Sequence, residues 1–93
     1  MLIDWARVRE LRDEIGGDSF SDVVALFLEE SDAVIARIDA GETVTGAELH
    51  FLRGAALNLG FADLAESCRD GTDPAALATL YAQSKAALVA EAV

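Results

Sequence analysis

The sequence contains few of the residues that build several common kinds of site. Its 93 residues include one cysteine, one histidine and one proline. A single cysteine excludes an intramolecular disulfide. One histidine and one cysteine cannot by themselves form a closed four-ligand zinc site. No glycine-rich loop of the Walker or Rossmann type is present, so we expect neither ATP binding nor ATP-dependent kinase activity.

Positive charge is also scarce. Lysine and arginine number 7 against 17 aspartates and glutamates, which gives a formal net charge of -10 at pH 7. Nucleic acids and anionic membrane surfaces attract basic proteins, so we expect neither as a partner. No apolar run is long enough to span a bilayer, and the charged Asp4 and Arg7 come too early for a secretory leader. These features predict a cytoplasmic location, and we expect the protein to be a monomer.

The chain does contain apolar residues at helical spacing along almost its whole length, and no alternating strand pattern. The length fits a single domain, residues 1–93. Five helical segments joined by short turns predict an all-α fold, namely an up-and-down antiparallel four-helix bundle with a short additional N-terminal helix. The expected core positions are Trp5, Val8, Leu11 and Ile15; Phe20, Val23, Val24, Phe27, Leu28, Val34, Ile35 and Ile38; Leu49, Leu52, Ala56 and Leu59; Phe61, Leu64, Ala65 and Cys68; and Leu77, Leu80, Tyr81, Ala87 and Leu88.

Capping residues indicate where these helices begin and end. Thr45 with Glu48 three residues later is a capping box, and Val44 before it can pack on Leu49 as a hydrophobic staple. We therefore assign Glu48 to the helix start rather than to chemistry. The other expected starts are Asp4, either Asp18 or Ser19, and Asp73 with Pro74, and the expected ends are Gly16 with Gly17, Gly41, Gly60 and Gly71.

The third segment places the only histidine, His50, inside a helix, with Arg53 and Gly54 three and four residues later. Residues at these spacings are neighbours on a helix surface, so imidazole, guanidinium and bare backbone share one patch. A mid-helix glycine costs about 0.8–1.0 kcal/mol relative to alanine. Gly54 therefore either packs against a bulky neighbouring helix or clears space beside the imidazole for another protein.

This patch is suited to holding a phosphoryl group on nitrogen. Free imidazole titrates at about pH 6.5, so its neutral, nucleophilic form is abundant near neutral pH. We expect the outermost ring atom, Nε2 of His50, to be the nucleophile. Arg53 can hold phosphate oxygens through charge-assisted hydrogen bonds. Leu57 on the same face is either an exposed docking contact or partly buried against a neighbouring helix.

The segment from His50 to Gly60, HFLRGAALNLG, resembles the motif of histidine-containing phosphotransfer (HPt) domains, roughly H-x-L-[KR]-G-[SA]-[SA]-x-x-[LF]-G. Leu64 and Cys68 continue the pattern, and Gly17-Asp18 with Phe20 fits the start of that family's second helix. The departures are the larger side chains of Phe51, Leu57 and Phe61, the alanines Ala55 and Ala56 in place of serines, and Arg69-Asp70-Gly71 where the family has Leu-Glu.

The resemblance implies a phosphorelay intermediate of two-component signalling, which is an enzyme only in the relay sense. His50 would accept a phosphoryl group from the phospho-aspartate of a receiver domain and pass it to another receiver. Arg53 would stabilise the phosphate and Gly54 would provide steric access. The chain would bind no cofactor of its own, because the receiver supplies Mg²⁺. The implied partners are response-regulator receiver domains and a hybrid sensor histidine kinase.

Three other functions stay open. A non-catalytic module would bind a receiver or kinase without phosphotransfer, and the joint presence of His50, Arg53 and Gly54 disfavours it. A hydrolytic or metal-dependent enzyme needs several convergent groups, and His50 has no serine, cysteine or second histidine at a neighbouring helical position. A helical subunit of a larger complex would expose a broad apolar face. We assign Cys68 to the core because the sequence shows no electropositive group near it, and Trp5 and Tyr81 to packing.

Overall fold

The computed structural model describes residues 1–70 and 73–92. Within these ranges the chain forms five helices and no strand, so the predicted all-α class is confirmed. The helices are α1 (Trp5–Ile15), α2 (Gly17–Asp39), α3 (Gly46–Leu59), α4 (Ala62–Asp70) and α5 (Pro74–Ala92). The predicted stop at Gly71 lies outside the described residues. None of the described helices has both the length and the apolar character needed to cross a membrane.

Both predicted ends of α3 are confirmed. Thr45 Oγ1 accepts a hydrogen bond from the Glu48 amide at 3.1 Å, and Glu48 Oε1 accepts one from the Thr45 amide at 3.0 Å. Gly60 ends the helix in the left-handed conformation at φ 79°. A Cβ at Gly60 would lie 2.7 Å from the Asp4 carbonyl oxygen, and the Asp4 amide donates to the Gly60 carbonyl at 2.7 Å. Glycine therefore permits both the turn and the close approach of the chain before α1.

The junction between α1 and α2 is tighter than predicted. Gly16 alone separates the helices at φ 83°, and its amide donates to the Arg12 carbonyl at 2.9 Å. Gly17 is already the first residue of α2, so its assignment to the end of α1 was wrong. The prediction that Asp18 or Ser19 caps α2 was also wrong. Since one glycine with a positive φ both ends α1 and starts α2, these two residues fall inside the first turn.

The other boundary predictions are confirmed. Asp4 Oδ1 accepts a hydrogen bond from the Arg7 amide at 3.2 Å at the start of α1. Gly41 adopts a φ of 83° after α2. Pro74 is the first residue of α5, and Asp73 Oδ1 accepts from the Ala75 amide at 3.4 Å.

Most of the core lies on the predicted stripes of all five segments, but Ile3 before α1 and Ala55 in α3 are buried without having been predicted. Leu52, Leu64 and Leu88 are fully buried, while Leu49, Trp5 and Phe27 are half-buried at its edge. The apolar pattern missed two buried polar residues, Ser31 in α2 and Ser84 in α5, because it counted apolar side chains only. Among the described side chains, the buried core consists of Ile3, Val8, Leu11, Phe20, Val24, Leu28, Val34, Ile35, Ile38, Leu52, Ala55, Ala56, Leu59, Phe61, Leu64, Ala65, Cys68, Leu77, Tyr81 and Leu88.

Polar contacts connect α2 to α5. The Tyr81 hydroxyl hydrogen-bonds to Asp32, and Lys85 Nζ lies 2.8 Å from Asp32 Oδ2. Partial burial alone would raise the pKa of Asp32, but the hydrogen bonds from Lys85 and Tyr81 outweigh it and lower that pKa. Burial, followed by the carboxylate of Asp32, raises the pKa of Tyr81. We call these contacts of Asp32 with Tyr81 and Lys85 the tie between α2 and α5. At neutral pH it contains an ionised Asp32 carboxylate and a neutral Tyr81 phenol.

Helix α3 is held on several sides. It packs against α1, α2 and α4, and Arg37 of α2 forms an ion pair with Glu48. Its buried residues Leu52, Ala56 and Leu59 face these neighbours. The opposite side of α3 is left at the surface.

Candidate functional site

His50 lies in the second turn of α3, on the side that points away from the core, and it is exposed. An α-helix turns about 100° per residue. Leu57 therefore points in nearly the same direction as His50, with Gly54 about 40° to one side and Arg53 about 60° to the other. The four residues form one face, which we call the His50 face.

Gly54 leaves open space on this face. Apart from the flanking residues and the nearby backbone of α3 itself, an added Cβ would meet no atom of the described residues within 4 Å. Its φ is not in the left-handed range, unlike those of Gly16, Gly41 and Gly60. Neither packing nor backbone conformation requires a glycine here. The interpretation that Gly54 packs against a bulky neighbouring helix is therefore wrong, and the space remains available beside the imidazole.

Arg53 is half-buried and makes no ion pair among the described side chains. Burial raises the pKa of the Cys68 thiol in α4 and is the larger effect. The positive charge of Arg53 acts in the opposite direction and lowers that pKa. Cys68 is buried, as predicted, but the stated reason was incomplete because Arg53 does supply an electropositive group. A guanidinium without a carboxylate partner is available to bind an incoming anion.

The His50 face carries no carboxylate. Glu48 is the only acidic residue of α3, in a chain with 17 of them. Its side chain is 17% exposed and is engaged by Arg37 and by the Thr45 amide, as its assignment to the helix start predicted. The exposed residues of α3 are Gly46, Ala47, His50, Leu57 and Asn58. An anionic group can therefore approach His50 along this face without meeting a negative charge from α3.

Leu57 is 53% exposed. Of its two interpretations, the structure supports the exposed apolar side chain. Because Leu57 and His50 share one direction about two turns apart, a flat partner surface can contact both residues.

Sequence reasoning missed two residues at the edge of this face. Asn58 Nδ2 donates to the Gly54 carbonyl oxygen at 3.0 Å. Arg7 Nη2 of α1 donates to Asn58 Oδ1 at 3.4 Å. Asn58 belongs to the motif that was singled out, but Arg7 precedes it by 51 residues. No spacing rule within one helix connects them.

The described part of the chain contains no group of three or more histidine, cysteine, aspartate or glutamate side chains placed to hold a metal ion. The face thus offers an exposed imidazole, an unpaired guanidinium and open backbone. These groups can accept a phosphoryl group on nitrogen and neutralise part of its charge.

Comparison with known proteins identifies no relative. No family model matches the chain, and neither does any curated protein or solved structure. The function is therefore inferred from the chemistry of His50, Arg53 and Gly54 and from the resemblance of the motif around them.

Proposed function

We propose that this chain is a phosphorelay intermediate. Nε2 of His50 accepts a phosphoryl group from the phospho-aspartate of one receiver domain and passes it to the aspartate of another. The observation that carries the proposal is the glycine beside the exposed imidazole. Gly54 lowers the stability of α3, yet no contact or backbone angle of the fold requires it. Space for a second protein at His50 accounts for it.

The transfer needs no reactant other than the imidazole of His50 and the phospho-aspartate of the receiver. The lone pair of Nε2 attacks phosphorus while the bond between phosphorus and the aspartate oxygen breaks, and the aspartate leaves as a carboxylate. The imidazole then carries the phosphoryl group on Nε2, and its Nδ1 proton is released to solvent. In transfer to the next receiver, Nδ1 takes up a proton from solvent, a carboxylate oxygen of that receiver attacks phosphorus, and the bond between phosphorus and Nε2 breaks to release neutral imidazole. Such transfers depend mainly on positioning and charge neutralisation.

Arg53 supplies the positive charge on this side of the reaction. Its guanidinium has no intramolecular ion pair among the described side chains, and it lies one turn from His50 on the same face. Mg²⁺ comes with the receiver, whose own carboxylates hold it. The exposed Leu57 contributes apolar contact area to the docked partner.

The proposal includes the finer architecture and setting. Helices α2 to α5 form an antiparallel four-helix bundle with α1 as the additional N-terminal helix. In support, α2 contacts α3, α3 contacts α4, α4 contacts α5 and α5 contacts α2, which closes a ring, while α1 packs against α2 and α3. The protein works in the cytoplasm as a monomer, with receiver domains and a hybrid sensor histidine kinase as partners and with neither nucleic acid nor membrane.

Phosphotransfer from labelled receivers tests this function. Receiver domains of the source organism are phosphorylated individually and mixed with the wild type or with His50→Gln. We expect at least one receiver to lose its label to the wild type in an acid-labile, base-stable form. His50→Gln should take up no label and should keep its helical circular dichroism.

Equal labelling of the wild type and His50→Gln would refute the relay mechanism. A wild type that binds receivers in calorimetry but takes up no phosphate would instead indicate the non-catalytic binding module.

A further inference from the structure

A chain of side-chain hydrogen bonds connects α1 to the backbone beside His50. Arg7 Nη2 donates to Asn58 Oδ1 at 3.4 Å, and Asn58 Nδ2 donates to the Gly54 carbonyl oxygen at 3.0 Å. In an α-helix the Gly54 amide itself donates to the carbonyl of His50, four residues earlier. This series of hydrogen bonds therefore ends at the backbone of Gly54, and one further helical hydrogen bond joins Gly54 to the backbone of His50.

This part of α3 is the part that most needs a restraint. A glycine has no Cβ and reaches more backbone conformations than any other residue, and asparagine is also a poor helix former. In the helical pattern the Asn58 amide donates to the Gly54 carbonyl, and the Asn58 side chain donates to that same oxygen. Two donors from one residue therefore close the turn that begins at Gly54.

Arg7 and the Gly54 carbonyl both favour the same orientation of the Asn58 amide. A guanidinium has donors and no acceptor, so the oxygen of the Asn58 side chain must face Arg7, which leaves the nitrogen for the Gly54 carbonyl. Arg7 is itself restrained, because it pairs with Glu10 and its Nη1 lies 3.7 Å from Glu14 Oε1. Its side chain is only 25% exposed. The orientation of an α3 side chain is thus reinforced from α1.

We propose that Asn58 and Arg7 are positioning residues for the phosphotransfer proposed above, on which this inference rests. They restrain the glycine turn of α3 in one conformation. They also keep the Asn58 amide folded along the helix, away from the open space beside the imidazole. Neither residue touches the phosphoryl group, since both act through the backbone of Gly54.

Four variants test the positioning role. Asn58→Ala removes the bond to Gly54, and Arg7→Gln removes the charged donor that orients the amide. Asn58→Ser is the conservative variant, because a serine hydroxyl can also donate to the carbonyl four residues earlier. Thr79→Ala is the matched control, since Thr79 Oγ1 makes the same kind of bond to the Ala75 carbonyl at 3.1 Å on α5.

Two measurements are needed, and both are made at a temperature well below the melting temperature of each variant. Amide hydrogen exchange by NMR reports the restraint on the Gly54 amide without any partner. Single-turnover transfer over a range of receiver concentrations separates the maximal rate from the concentration at half-maximal rate. We expect Asn58→Ala to accelerate exchange and lower the maximal rate about two- to tenfold, the range of one neutral hydrogen bond, with the half-maximal concentration unchanged.

Arg7→Gln should lower the maximal rate less than Asn58→Ala does. Asn58→Ser should recover most of the wild-type rate, and Thr79→Ala should behave as the wild type. Wild-type exchange and maximal rate in Asn58→Ala would overturn the inference, and so would an equal loss in Thr79→Ala. If the wild type takes up phosphate from no receiver, the proposed function fails and the positioning role falls with it. A wild type that transfers while Asn58→Ala is unaltered defeats the positioning role alone.

Discussion

Replacing Gly54 by alanine should make this protein more stable. Alanine is favoured over glycine in a helix interior by about 0.8–1.0 kcal/mol, mainly because it restricts the unfolded chain. Beyond the flanking residues and the nearby backbone of α3, the new methyl group meets no described atom within 4 Å, and the φ of Gly54 is not in the left-handed range. No packing or strain cost therefore offsets the gain, and the expected increase in the free energy of unfolding is about 0.8–1.0 kcal/mol.

Thermal and urea denaturation followed by circular dichroism measure this change. For a domain of this size, 1 kcal/mol raises the melting temperature by about 4–8 °C. In urea the midpoint should rise with an unchanged slope, since the surface exposed on unfolding is nearly the same. A melting temperature equal to or below that of the wild type would refute the reasoning, because Gly54 would then serve the fold itself.

Gly60 and Gly17 provide matched controls for the alanine substitution. Gly60→Ala should destabilise, because Gly60 has a left-handed φ of 79° and its added Cβ would lie 2.7 Å from the Asp4 carbonyl oxygen. Gly17→Ala should give a smaller gain than Gly54→Ala, because its site is open but lies at the first position of α2.

A larger side chain at Gly54 separates stability from access. Gly54→Gln should also fold, since its Cβ would lie in open space, and we expect the rest of its side chain to occupy the surface beside His50. We expect phosphotransfer to be nearly retained in the alanine variant and blocked in the glutamine variant. Transfer at the wild-type rate by the glutamine variant would contradict the steric role of Gly54.

Three further predictions concern other residues. Arg53→Ala should slow transfer or shorten the lifetime of the phospho-histidine with little loss of stability, and equal rates and lifetimes would remove Arg53 from the mechanism. Ser84→Ala should stabilise by about 1–2 kcal/mol in urea denaturation, because the buried Ser84 Oγ has no hydrogen-bond partner in the part of the chain that the structure describes and an unsatisfied buried hydroxyl costs about that much. A destabilised variant would indicate a bound partner for that oxygen. The lowered pKa of Asp32 contributes stability that is present above the ordinary aspartate pKa of 3.8 and is lost as the pH falls through the lowered pKa. Lys85→Met should weaken this acid dependence of the melting temperature, and an unchanged pH profile would argue against the tie between α2 and α5.

Local rules predicted the parts of the molecule that depend on residues three or four apart. The capping box of Thr45 and Glu48, the left-handed glycine at Gly60 and the first turn of α5 at Pro74 all appear as expected. Each depends on side-chain reach and backbone angles within a single turn. The same rules failed at Gly17, next to Gly16, the one glycine that α1 and α2 share, because the stop of one helix and the start of the next compete for the same residues.

Local rules likewise predict some features of the site and leave others undecided. The helical period alone places His50, Arg53, Gly54 and Leu57 on one face, and the structure leaves His50 exposed there. Whether Gly54 is needed for packing depends on what lies beside it, and only the arrangement of the neighbouring helices shows that nothing does. The exposed Leu57 was undecided for the same reason.

The amino-acid sequence by itself determined that the chain is helical, which residues share each helical face, and where most helices begin and end, because these follow from interactions within about one turn. Only the tertiary structure decided which of those faces stays uncovered and which distant residues meet. The bond from Arg7 to Asn58 spans 51 positions and that from Tyr81 to Asp32 spans 49. Contacts between helices depend on how the whole chain packs, and no local pattern specifies them.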